Sequence, residues 1–411
     1  MPVPAKDKRV LRELARRVAE IAALPIQKDR AKLWRDHNAL RPTRPVVLAQ
    51  PEGAWTELVP DSSLQCSGEL LRSWEHQLRC SLFRGLHIPD DQPLTGNVYV
   101  PWVSRVSNYG MEAEFTRGEN RGSYRWDAPI KTEKDFDKLR FRELTVDRAA
   151  TRANLDLAKE LLGDLVPVVQ YNSFWWTVGL TWSLVTLRGL EQVMMDLYDN
   201  PRFVHRMMAF LRDDTMQFAE KVEAEGLLGL NNGPDSYVGS GGIGHSDELP
   251  APGFDSGRVR LKDLWGLGES QEFVGVGPAQ FEEFALEYQL PILAKFGLVC
   301  YGCCEPLDQK FDPVIGRVPN LRRISISPWC NRQIAADKLG DRFVYSWKPN
   351  PAMICAPTVD WAFVEKTTRE TVRIARSCRL EMVMKDTHTV HNEPARFTRW
   401  CEMAVRLSQE S

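Results

Sequence analysis

Two short stretches concentrate the side chains of this 411-residue chain that do chemistry. One reads Tyr301-Gly302-Cys303-Cys304-Glu305, the other Lys385-Asp386-Thr387-His388, with His391 three residues further on. Thiolate, imidazole and carboxylate are the ligands zinc takes, commonly three from the protein with one position open in a catalytic site. Cys303, Cys304, Glu305 and His388 are therefore candidate metal ligands, and Cys330 lies between the two stretches. Cys-Cys-Glu has no repeated C-x2-C spacing, so the chain pattern alone does not specify a metal; the competing reading is a pair of packed thiols. Cys303 or Cys304 with His388 as base would make a nucleophilic pair. Lys348 and Lys385 are candidates for a Schiff base or for holding an anionic group. Asp386 and Lys348 are groups that can deliver a proton, and Asp386 beside Lys385 also suits an ion pair or a loop cap. His205 falls within a helical stretch and His245 in a Gly-rich loop, where structural and surface roles suffice.

The elements must bring these stretches together. Eight apolar or β-branched runs recur after residue 95: Val98–Val103, Val166–Gln170, Leu227–Leu230, Phe273–Val276, Leu298–Tyr301, Arg323–Ser327, Phe343–Trp347 and Met382–Lys385. Helical spacing fills most of the gaps, at 147–162, 181–198, 202–225, 278–295, 331–339, 361–377 and 395–407. Asn200-Pro201 supplies an N-cap and a Pro at the first helical position. Pro278 starts another helix, with Glu282 and Glu283 near its positive end. Strands alternating with helices predict parallel βα units, and eight of them predict an α/β fold of the (β/α)8 TIM barrel type. An open doubly wound sheet is the alternative; no G-x-G-x-x-G follows the first strand and no G-x-x-x-x-G-K-[ST] occurs. Ahead of the strands lie helical stretches at 7–24 and 66–84 and a Pro-rich extended segment at 41–60. Residues 1–95 thus read as an N-terminal helical extension and 96–411 as the barrel. Gly239–Gly244 reads as a long loop over the barrel mouth. The irregular regions 104–132 and 232–270 are long enough to be lids or partner surfaces.

A barrel's active site lies at the carboxyl ends of its strands. Asn172, Trp175 and Trp176 follow the second run, Asn232 the third, and Tyr301, Cys303, Cys304 and Glu305 close the fifth. Trp329 follows the sixth, Lys348 the seventh, and Asp386 and His388 the eighth. Tyr301, Lys348 and Asp386 are the candidate catalytic groups. Asn172 and Asn232 would orient substrate between apolar walls of Trp175, Trp176 and Trp329. Cys378 precedes its strand and falls at the opposite end, while Cys66, Cys80 and Cys401 lie on helices.

Composition narrows the function class. Fifty-three Lys and Arg balance 55 Asp and Glu, a net charge of −2, which lacks the footprint of a nucleic-acid binder. No apolar run reaches the roughly 18–20 residues that span a bilayer, and the start of the chain has no apolar signal segment. Nine cysteines in such a chain argue against a disulfide framework. The expected location is the cytoplasm, with neither nucleic acid nor membrane as partner.

Three stretches resemble the uroporphyrinogen decarboxylase-like superfamily. They are Leu187-Arg188-Gly189-Leu190-Glu191 running to Asp196-Leu197-Tyr198-Asp199-Asn200-Pro201; Gly277-Pro278 with Phe281-Glu282-Glu283-Phe284, Tyr288 and Pro291; and Gly340-Asp341-Arg342 before Asn350-Pro351. The resemblance covers about 165–405 and implies a (β/α)8 barrel. The decarboxylases proper carry a signature around MRQAGR and a pyrrole-binding aspartate; the signature is absent here, and Asp90 and Asp91 stand in another context. The resemblance points instead to the cobalamin-dependent methyltransferase branch. There, zinc is held by His-x-Cys at one strand end and a Cys after a late strand. The matching places here read Tyr301-Gly302-Cys303 and Asp386–His388, so only the first Cys is kept. The implied activity is a zinc-dependent methyltransferase or demethylase. It would move a methyl group between a small methylated substrate or thiol and a corrinoid protein. The cobalamin would ride on that partner, since the chain has no D-x-H-x-x-G segment. Zinc would polarise the methyl-bearing atom or lower a thiol's pKa. Two other functions stand beside this one: a metal-free decarboxylase of the same fold acting on a small acid, and a non-catalytic ligand-binding barrel.

Overall fold

A computed structural model describes residues 3–117, 124–171 and 174–410. Eight strands organise it: β1 (Val46–Ala49), β2 (Val98–Val100), β3 (Val168–Gln170), β4 (Trp265–Gly268), β5 (Leu298–Tyr301), β6 (Leu321–Ile326), β7 (Val344–Trp347) and β8 (Arg379–Met384). Six form one parallel sheet in the order β1-β8-β7-β6-β5-β4, and β2 and β3 pair in parallel apart from it. The fold is therefore α/β, with helices between most of the sheet strands.

Side chains alternate between the faces of a strand, and the two faces of this sheet differ in chemistry. Tyr301, Ile324, Ile326, Tyr345, Trp347 and Met382 join the main apolar core with the surrounding helices. The other face carries Cys300, Arg323, Ser325, Ser346 and Glu381. Register sets Glu381 beside Ser346 and Ser346 beside Ser325 on three adjacent strands. Arg323 Nε lies 3.1 Å from Glu381 Oε1, and both side chains are fully buried. A buried pair of this kind is weak as a source of net stability, but removing one partner strands the other charge.

The sheet is hydrogen-bonded as six strands and does not close through backbone bonds among the described residues. At the free edge of β1, carboxylates stand where a strand would. Asp91 Oδ2 accepts from Val47 N at 2.8 Å and Asp90 Oδ2 from Ala49 N at 2.9 Å, while Arg84 donates to Ala49 O at 2.9 Å. Between β3 and β4, Asn231 does the same work. Its amide donates to Trp265 O at 3.0 Å and accepts from Trp265 N at 2.9 Å. Leu227–Leu230, expected as a strand, runs through this gap without a ladder.

Two further expectations are corrected. Phe273–Val276 is the end of the 3-10 segment Gln271–Phe273 and the turn after it, and the strand lies earlier, at β4. Val46–Ala49, expected as part of an extended cap segment, is a member of the main sheet. The irregular region 104–132 contains a strand paired with Leu144–Val146 and an antiparallel hairpin, Glu114–Arg117 with Tyr124–Asp127. Within 232–270 a small hairpin, Tyr237–Val238 with Gly242–Ile243, precedes β4.

The N-terminal helices are α1 (Ala5–Ala22), α2 (Ile26–Asn38) and α3 (Glu69–His87). Leu11, Leu14 and Val18 of α1 pack with Trp74 and Leu78 of α3 in a second apolar cluster that includes Val98 and Val100 of β2. No helix among the described residues is long and apolar enough to cross a membrane.

Candidate active site

The hairpin 237–243 enters the polar face of the sheet instead of lying over it. A Cβ on Gly239 would stand 2.6 Å from Cys300 Sγ, and one on Gly242 would stand 2.6 Å from Arg323 Cζ. Backbone can pass here only without side chains, which explains the glycines of Gly239–Gly244. Ser240 at the tip is buried and donates to Cys303 Sγ at 3.5 Å. Arg323 also donates to Ile243 O at 2.9 Å and to Asn38 Oδ1 at 2.7 Å, tying hairpin and α2 to the sheet.

Beside the hairpin opens a cleft of about 480 Å³ at the carboxyl ends of β1, β3 and β8 and along β4 from Leu264 to Leu267. Its aromatic lining is Tyr171, Phe174, Trp175, Trp176, Tyr237 and Trp265. Gln50, Glu52, Lys385 and Asp386 make up a polar end. Lys385 Nζ donates to Asp386 Oδ1 at 2.7 Å, and Asp386 N donates to Glu52 Oε2 at 3.0 Å. Glu52 and Asp386 both have left-handed backbone, with φ of 44° and 56°. Such strain in residues other than glycine concentrates where side chains must be aimed. Burial raises the Glu52 carboxyl above the ordinary range, against the pull of Lys385. Burial works against the Lys385 ammonium, but Asp386 and Glu52 outweigh it and hold its pKa above the usual lysine value.

The thiols adjoin this polar end. Gly302, at φ 90°, turns the chain out of β5, and Cys303 Sγ and Cys304 Sγ stand 3.5 Å apart. Cys303 is buried and Cys304 is exposed. The Cys303 thiol donates to its neighbour, which lowers the Cys304 pKa and raises that of Cys303. Lys385 favours the thiolate at both positions.

The remaining expected site residues fall elsewhere. Tyr301 lies on the helix-facing side of β5, where its hydroxyl donates to Gln289 Oε1 at 2.7 Å. Glu305 is buried with its carboxylate on backbone: Oε1 accepts from Ser270 N and Oε2 from Cys303 N, both at 3.0 Å. It shapes the Cys303 turn and has no oxygen turned to the cleft. Lys348 is buried below the cleft, donating to Ser346 O at 3.1 Å and to Ser346 Oγ, which bonds Glu381 in turn. Burial pulls its pKa down to about 8. His388 is exposed and packs on Gly53, whose Cβ would meet His388 Nδ1 at 2.7 Å. The Asn232 side-chain amide donates to Leu249 O and its backbone carbonyl meets His245 Nδ1, and its neighbour Asn231 lines the cleft instead. Trp329 is 70% exposed and outside the cleft. Asn172 lies outside the described residues. Asp386, Trp175 and Trp176 line the cleft.

Glu52 and Gln50 escaped the sequence reading. The signal was present: Val46–Ala49 is an apolar run followed at once by Gln50-Pro51-Glu52-Gly53, the form of a strand and its carboxyl-end loop. A buried acid was missed as well. Glu269 follows β4 and bonds Gln271 N at 3.0 Å; burial and the nearby Glu272 and Glu305 raise its pKa to about 8.

These positions decide whether the expected zinc site can form. Cys303 and Cys304 are adjacent, but Glu305 is committed to amides and His388 packs on Gly53. Among the described residues no three His, Cys, Asp or Glu side chains are grouped to share a metal ion. The donor set therefore does not fit a catalytic zinc with three protein ligands.

No protein-family model and no curated protein matches the chain. Among solved structures, a methyltransferase from Methanosarcina mazei is similar with a TM-score of 0.51 at 10% identity. The match covers 92% of this chain and 97% of that one. At this identity the likeness is one of fold.

Proposed function

We propose that the chain is a methyltransferase acting on a small methylated molecule held in the aromatic cleft, with a corrinoid carried by a separate protein as the other methyl carrier. In this reading the eight strands are the wall of a (β/α)8 barrel and the cleft is its mouth. The observation that carries the proposal is the cleft itself: an aromatic lining, with a fixed ion pair at a polar end and a thiol pair adjoining. The fold likeness to a methyltransferase supports it.

Methyl transfer is a displacement at carbon, so the protein's work is to align donor and acceptor and to keep water away. Trp175, Trp176 and Trp265 supply rigid apolar walls. The Lys385–Asp386 pair and Glu52 fix the polar end of the substrate. The corrinoid, when its carrier docks, supplies the nucleophile. No step is routed through zinc, because the donors do not assemble a site for it.

The test is methyl transfer to cob(I)alamin, followed by its change in absorption, with a panel of N-, O- and S-methyl donors. Transfer from one class, lost in Asp386→Ala, is the expected result. Failure with every class, or carbon dioxide release from a small acid instead, overturns the proposal.

A further inference from the structure

We infer that the cleft takes a methylated ammonium ion of choline or betaine size. The inference deepens the methyltransferase reading and rests on it for the chemistry that follows binding.

Three observations converge. The first is the wall. Six aromatic residues line a cleft of about 480 Å³; Trp176 at 52% and Tyr171 at 38% are well exposed, while Trp265 is buried with its ring under Arg323. Aromatic faces attract cations through the ring quadrupole, and quaternary ammonium groups are commonly caged this way. The size is within the range of roughly 300–1,000 Å³ typical of small-molecule sites.

The second is the charge. Glu52 and Asp386 at the polar end face one ammonium, Lys385, which Asp386 already pairs at 2.7 Å. Behind the aromatic lining a third carboxylate, Asp235, accepts from Tyr99 OH at 2.6 Å, and the Tyr99 ring meets Tyr171 edge-on at 5.3 Å. The guanidinium groups nearest the cleft are each matched by a carboxylate. Arg84 lies 2.9 Å from Asp90, and Arg323, stacked over Trp265, lies 3.1 Å from Glu381. Lys348, buried below the cleft, shares Glu381 with Arg323 through Ser346. Five carboxylates (Glu52, Asp386, Asp235, Asp90 and Glu381) thus stand against four cations (Lys385, Lys348, Arg84 and Arg323), an excess of one that suits a cation over a free phosphate.

The third is the leaving group. A methyl ether or thioether donor releases an alkoxide or thiolate anion unless a Lewis acid or a proton assists it. A quaternary ammonium needs no such help. The N–CH3 bond breaks, nitrogen keeps both electrons and departs as a neutral tertiary amine, and the methyl passes to the nucleophile of the acceptor. No oxidant, reductant or proton enters. Such a donor fits a site whose thiols, His388 and Glu305 are not arranged to hold zinc.

Binding of choline to the full-length chain, followed by tryptophan fluorescence and calorimetry, tests the inference. Its uncharged carbon isostere, 3,3-dimethylbutanol, and methoxybenzene serve as comparisons. The expected result is saturable choline binding, at least about tenfold weaker for the isostere and weakened severalfold by Glu52→Gln and by Trp176→Leu. Trp176 is half exposed, so its replacement leaves the fold intact, as circular dichroism would verify. Equal binding of the isostere, tighter binding of methoxybenzene, or no saturable choline binding overturns the inference. The two readings fail separately. Choline binding without any methyl transfer to cob(I)alamin defeats the methyltransferase reading alone. Transfer from an ether or thioether, with no ammonium bound, defeats this inference alone.

Discussion

Cys304 is the one exposed thiol among nine free cysteines, and the Cys303 sulfur lies 3.5 Å from its own, within hydrogen-bond reach. A thiolate so supported forms at lower pH and reacts faster near neutrality. Iodoacetamide should therefore label Cys304 first, and Cys303→Ala should raise its pKa and slow labelling by several fold near pH 7; peptide mass spectrometry across a pH series checks both. Equal labelling of Cys304 in the two proteins would show that the pair is not coupled. Glu269 gives the second residue-scale test. Burial, with Glu272 and Glu305 close by, raises its pKa to about 8. A carboxyl raised above its unfolded value contributes stability that is whole below about pH 4.5 and is lost as pH rises through about 8. The urea midpoint should thus fall between about pH 6 and pH 9 more steeply in the parent than in Glu269→Gln. Identical slopes would mean that Glu269 is ionised throughout. These residues also show what the sequence made legible. Asp386, Trp175 and Trp176 were found because they directly follow strand-like runs, and position after a strand decides cleft or core. Tyr301 was misjudged by one step of the strand period: Cys300 faces the polar side, so Tyr301 must face the helices. Asn232 lies in a segment without a strand ladder, so no strand period decides between it and Asn231.

At the scale of elements, the hairpin 237–243 shows why glycine-rich segments resist reading. Nothing in Gly239–Gly244 marks it as an insertion into the sheet interior, because the reason for Gly239 and Gly242 lies on β5, β6 and β8, far along the chain. Its tolerance to substitution is correspondingly sharp. Gly242→Ala places a methyl 2.6 Å from Arg323 Cζ and 2.8 Å from Glu381 Oε1. Both groups are buried and paired, so the clash must move the hairpin or part the ion pair, at a cost of about 2–4 kcal/mol. Gly316→Ala, where the added methyl meets nothing within 4 Å, should change little. Denaturant titration of the two variants compares them directly, and equal midpoints would mean the hairpin is not held against Arg323. The strands themselves were read with mixed success for physical reasons. β5, Leu-Val-Cys-Tyr, is a near-continuous apolar run, as buried parallel strands are, while β6 to β8 alternate core residues with the buried polar set Arg323, Ser325, Ser346 and Glu381. β4 reads Trp-Gly-Leu-Gly, and two glycines in four residues weaken any strand signal. Phe273-Val274-Gly275-Val276 has the β-branched composition but follows a 3-10 turn and opens into a helix at Pro278.

At the scale of the molecule, the question is what residues 1–95 are for. Their helical and Pro-rich pattern reads as an extension laid on a finished barrel, and α1 and α3 do pack outside β2. The rest of the segment enters the machinery. β1 pairs with β8 over four residues, Val46 to Ala49. His37 Nε2 lies 3.3 Å from Glu381 Oε2 and Asn38 bonds Arg323, so α2 reaches the buried charges beneath the cleft. Gln50 and Glu52 form part of the cleft, and Thr387 binds back to Gln50 O at 2.6 Å and Pro51 O at 2.9 Å. A chain beginning at residue 96 would lose a sheet strand, expose the edge of β8 and leave Arg323 and Glu381 without Asn38 and His37. An exposed parallel strand with a buried-type sequence is an aggregation template. The fragment 96–411 should therefore lack the cooperative unfolding and near-ultraviolet dichroism of the whole chain and should bind a hydrophobic dye. If it folds cooperatively and keeps the cleft's tryptophan signal, residues 1–95 are a detachable cap after all, and Glu52 has no essential part in the site.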